Sequence, residues 1–111
     1  MANNIAFQPM GKTYLLAANS TSQSINVSAD SPVQQYRLTN HDTTNAAFVR
    51  ITTGASNAFV PNAAGTYGFP VRYNDDIVIT AAQCSPNVNV VISFITASGT
   101  ANVFVTPGEG L

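Results

Sequence analysis

Residues 88–106 read VNVVISFITASGTANVFVT, and this stretch decides the class of fold. The run 88–96 is almost wholly apolar and rich in β-branched residues, which fits a pleated, buried surface. It predicts a central strand covered on much of both faces. Ser98-Gly99 marks a turn, and residues 101–106 then alternate, Val103 and Val105 on one face and Phe104 on the other. Two such strands in succession predict an antiparallel hairpin.

The same grammar extends toward the N-terminus. Residues 13–18 (TYLLAA), 22–28 (SQSINVS), 33–39 (VQQYRLT) and 46–52 (AAFVRIT) each read as a strand between turn residues. The last two, joined by the polar segment 40–45 (NHDTTN), predict a second hairpin. Residues 54–69 carry three glycines and a proline, so they predict a long loop with one short strand near Phe59-Val60. Residues 69–73 (FPVRY) predict an edge strand, since Pro70 cannot donate a ladder hydrogen bond. Asn74-Asp75-Asp76 reads as a turn into a strand at 77–81 (IVITA). No window keeps apolar residues at i, i+3, i+4 and i+7 among good helix formers.

The expectation is therefore one all-β domain, an antiparallel β-sandwich of jelly-roll or immunoglobulin-like topology. The sandwich is expected over 13–106. Residues 1–12, with Gly and Pro among polar residues, and 107–111, built from strand breakers, are expected as N- and C-terminal arms. Their apolar residues Ile5, Phe7 and Leu111 are the expected anchors on a neighbour, and removing either arm is expected to weaken assembly while leaving the domain folded.

Charge narrows the function. Of 111 residues only 8% are charged, with a net charge of −1, against the quarter usual in globular proteins. Lys12, Arg37, Arg50 and Arg72 offer no basic footprint for nucleic acid or anionic lipid. No apolar run reaches the ~20 residues of a spanning helix, and the first residues lack the pattern of a secretory signal. Polarity comes instead from Asn, Thr, Ser and Gln, which can be buried against a neighbour without the desolvation cost of ions.

Candidate chemistry is sparse. Cys84, His41 and a carboxylate could in principle form a nucleophilic triad, but no flanking motif supports one, and Cys84 reads as a small apolar filler. A single cysteine excludes an internal disulfide, and one His with one Cys cannot complete a transition-metal site. Asp75 and Asp76 read as turn residues; a calcium site is an alternative without a loop motif behind it. No catalytic residue, cofactor or metal is expected. Among the tyrosines, Tyr14, Tyr36 and Tyr73 read as packing residues, whereas Tyr67, between Gly65 and Gly68, is expected to be exposed and to touch a partner.

Three stretches carry a family resemblance: IAFQPMGKTYLLAANSTSQSINV (5–27), SPVQQYRLTN running into AAFVRITTG (31–54), and SGTANVFVTPGEGL (98–111). They resemble small virion structural proteins of tailed bacteriophages, of the capsid decoration or cement type. The resemblance implies a protein made in the host bacterial cytoplasm and located in the virion. It also implies a homo-oligomer, with a trimer favoured, partnered by the major capsid protein or other virion proteins. A tail or connector component and a carbohydrate-binding host-recognition module are the alternatives.

Overall fold

A computed structural model describes residues 7–54, 57–60 and 62–109. Among these residues nine strands follow in order: β1 (Gln8–Pro9), β2 (Tyr14–Ala18), β3 (Gln23–Val27), β4 (Val33–Asn40), β5 (Ala47–Thr52), β6 (Phe69–Val71), β7 (Asp75–Cys84), β8 (Val90–Thr96) and β9 (Ala101–Glu109). They form two antiparallel sheets packed face to face. In the first, β7, β4 and β9 lie side by side, and β1 and β2 share the far edge of β9. The second runs β3-β8-β5-β6.

This order is that of an eight-stranded jelly roll, with β1 as an addition. The chain behaves as a single long hairpin rolled up on itself. β5 pairs with β6 at the tip, β4 with β7, β3 with β8, and β2 with β9 at the open end. Both local hairpins expected from the sequence are thereby corrected. β4 and β5 belong to different sheets, as do β8 and β9. Their short connections carry the chain across the sandwich instead of back along a neighbour. The immunoglobulin-like alternative falls with the same strand order.

Alternation builds the core. Tyr36 and Leu38 from β4, Val103 and Val105 from β9, and Val90, Ile92 and Phe94 from β8 are all buried between the sheets. β8 is central, as its apolar run predicts, and β6 with Pro70 lies at an edge. The expected short strand at Phe59-Val60 is absent; both residues lie in irregular chain. Asp75 and Asp76 open β7 rather than forming the turn before it. The turn falls at Tyr73-Asn74, where Asn74 takes a φ of 53°, a conformation Asn tolerates better than most residues.

The two terminal segments meet. Gln8 sits opposite Glu109, and the Met10 amide donates to the Pro107 carbonyl at 2.9 Å. The expected boundary at residue 107 thus falls inside β9, whose Pro107 and Gly108 are buried. Removing residues 107–111 would take away the β9 positions that pair with Gln35 and Tyr36, so the deletion acts on the sheet itself.

The outer face of the first sheet is polar. Arg37 donates from Nε to both carboxylate oxygens of Asp76, at 2.8 and 3.0 Å, and Thr39 adds a 3.3 Å bond. The guanidinium holds the Asp76 carboxyl below the usual range, and amide bonds from Thr44 and Asn45 do the same for Asp42. A carboxylate with a depressed folded-state pKa stabilises the fold above its unfolded value, near 4, and that contribution is lost as pH falls through the folded value. Melting temperatures should therefore hold from neutrality to about pH 4 and drop below it. The fall should be shallower in Asp42→Asn, as thermal melts between pH 7 and 2.5 would show.

Candidate functional site

The tip of the rolled hairpin, between β5 and β6, carries the most distinctive surface. Its long connection does not hang free. Ala58 is fully buried yet lies outside the main core, and its amide donates to Ser22 Oγ at 3.1 Å. Arg50 donates to the Asn57 carbonyl at 3.2 Å, and the Phe59 amide to the Tyr67 carbonyl at 3.0 Å. Residues 57–58 thus lie over the outer face of the second sheet, and residues 62–68 lead back to β6. Gly68 allows that return, because a Cβ there would overlap the Phe59 carbonyl and crowd Phe48.

Five large apolar side chains of this region face solvent: Phe59, Val60, Tyr67, Phe69 and Tyr73. Tyr67 is 66% exposed, as its setting between glycines predicts. One face of its ring is held by Arg50, whose guanidinium carbon stands 4.0 Å from the ring centroid. Arg72 lies 5.8 Å from the ring of Tyr73, which is also exposed, contrary to its reading as a packing residue.

Phe69 occupies the other face of the β6 edge. Its ring is 51% exposed and lines an apolar groove of about 250 Å³ with Val49, Ile51, Ile79, Thr80 and Ala81. Arg50 lies between Val49 and Ile51 in β5, so it points to the opposite side of the sheet. The aromatic surface therefore wraps the β6 edge, with Tyr67 outside and Phe69 at the mouth between the sheets. Such a volume admits one or two side chains rather than a typical small-molecule ligand.

The remaining expected contacts fare differently. Phe7 packs its ring onto Gly108, where a Cβ would strike it. Ile5 and Leu111 lie outside the described residues. Cys84 lies opposite Val33 at the start of β4 and His41 follows its last residue, about 25 Å away along an extended strand, so they do not converge. Burial pushes the Cys84 thiol up and leaves it fully enclosed, while the Tyr36 hydroxyl donates to the Ala82 carbonyl. His41 instead packs edge-on against Phe104, 6.0 Å between ring centroids. Among the described residues, no three His, Cys, Asp or Glu side chains gather as metal ligands would.

Compared with known protein families and with curated proteins, the chain matches none.

Proposed function

We propose that this protein is a non-enzymatic structural component of a tailed-phage virion, decorating or cementing the capsid through homo-oligomeric and capsid-lattice contacts. The observation that carries this reading is the β6-edge surface. Five exposed apolar residues and two arginines lie along β5, the β5–β6 connection, β6 and the turn after it, on a chain with few charges elsewhere. Aromatics and Arg with few Lys, Glu or Asp form the composition of protein–protein hot spots. The jelly roll supports the reading by analogy, since viral capsid domains use it.

Lectin domains use it too, and the open ring face of Tyr67 favours a second reading, a glycan-binding host-recognition module. One pair of measurements separates them. Quantitative proteomics and electron microscopy of purified virions should find the protein in a fixed ratio to the major capsid protein. The double variant Phe59→Ala/Tyr67→Ala should bind shells about tenfold more weakly or worse. Absence from virions overturns the decoration reading. Glycan-array binding that is lost in Tyr67→Ala and Tyr73→Ala would put the second in its place.

A further inference from the structure

Sheet edges attract other strands, and proteins usually blunt them with short length, proline, charge or a covering segment. β1 has two residues and Pro9, β6 three and Pro70, and β2 and β3 five each. β7 is different. It has ten residues without Pro or Gly, and no described strand pairs with its outer side. Its middle, Ile77-Val78-Ile79-Thr80-Ala81-Ala82, is an uncharged hexapeptide of mostly high β-propensity. From this edge Ile79, Thr80 and Ala81 line the groove holding Phe69, and Ile77 and Ile79 are both half-buried on the inner side of the strand.

We infer that β7 pairs with β7 of a second copy, antiparallel and across a two-fold axis, joining two four-strand-wide sheets into one. Charge sets the direction. Parallel in-register pairing would set Asp75 and Asp76 against themselves, a destabilising arrangement, whereas antiparallel pairing sends the two acid pairs to opposite ends. The ladder with β4 is regular from Asp75 to Thr80 and then bulges, leaving Ala81, Ala82 and Gln83 opposite the single residue Gln34. A two-fold perpendicular to the sheet keeps inner faces together, so it must centre on one residue. Centring on Val78 keeps the new ladder on the regular segment. Ile77 then lies opposite Ile79 of the partner, Asp76 opposite Thr80. The inward isoleucines of both copies form one apolar row that meets each groove at Ile79, beside Phe69. The occupant is thus a second copy, because the same hexapeptide supplies both sides of an isologous contact.

The contact does not rest on the virion reading, and absence from virions would leave it standing. Light scattering after size exclusion, at micromolar concentration, should report a species of twice 11.6 kDa. Val78→Glu places a carboxylate beside Arg37 of its own chain, which the monomer tolerates, but two carboxylates meet at the axis. The dimer dissociation constant should rise tenfold or more. Thr80→Glu, on an exposed side chain facing Asp76 of the other copy, should act in the same direction with the fold intact by circular dichroism. Mixing Val78→Glu with Val78→Lys should restore a heterodimer. A monomer or a trimer for the parent protein overturns the proposal, as does a dimer that both Glu variants leave intact.

Discussion

Phe94→Ala is expected to cost about 3–5 kcal/mol of unfolding free energy. Phe94 is fully buried in the central strand of the second sheet, with Gln23 of β3 on one side and Val49 of β5 on the other. It is among the largest enclosed side chains and projects toward the face formed by β4 and β9. Truncation leaves a void that a two-sheet core cannot close, because the backbone ladders fix the spacing of the strands. The melting temperature should fall by roughly 12 °C or more. Phe104→Ala is the comparison. That ring is half-buried on the outer face of the first sheet, against His41, and its loss should cost about 1 kcal/mol. Equal effects at the two positions would contradict the assignment of faces.

Asn40→Leu should cost about 2–4 kcal/mol, although it replaces a polar group with an apolar one of similar size. The Asn40 side chain is buried and fully used. Its Nδ2 donates to the carbonyls of Asn45 and Val71 at 3.0 and 3.1 Å, and its Oδ1 accepts from the Asp42 amide at 3.1 Å. Asn40 ends β4 in one sheet, while Val71 ends β6 in the other. A single amide thus ties both sheets and the β4–β5 connection together. Leucine would strand three backbone groups with no partner to replace it. Hydrogen exchange should reveal where the tie acts, with protection lost first at β6 and the β4–β5 connection. A cost below about 1 kcal/mol, with β6 still protected, would show that water can take over all three bonds.

These two positions mark how far the sequence can be read. The strand at Phe94 follows from its own neighbours, because a continuous apolar run between turn residues has few other uses. The same holds for Pro70 at an edge and for Tyr67 between glycines. Strand partners are a different matter. Alternation records which side of a strand is apolar but not which sheet receives it, so a short polar link such as residues 41–46 reads alike whether it reverses the chain or crosses the sandwich. Asn40 is hidden for the same reason: beside His41 and Asp42 it looks like one more loop residue, and its partner Val71 is 31 positions away. The aromatic surface was legible only in part. Tyr67 stands out between its glycines, but Tyr73 reads as packing, and the exposure of Phe59 and Phe69 follows from how the loop folds back on the sheet, which no local pattern encodes. The groove beneath Phe69 depends on where two sheet edges diverge, a property of the assembled sandwich.

The rolled hairpin also governs when the protein can fold. β9 lies between β4 and the β1–β2 edge, so the first sheet has a missing centre until residues 101–109 have been synthesised. Until then β2 has no partner, and β4 has β7 alone. Tyr14 must find Val105, so the closing contacts join residues from nearly opposite ends of the chain. High contact order of this kind slows folding, because loop-closure entropy is lost before packing returns it. Among the described strands, β5 and β6 at the tip are the one pair consecutive both in sequence and in the sheet, and zipping outward from them is the route with the shortest closures. The surface proposed for partner contact would then be the first part of the molecule to take shape, and the joining of β1 and β2 to β9 the last.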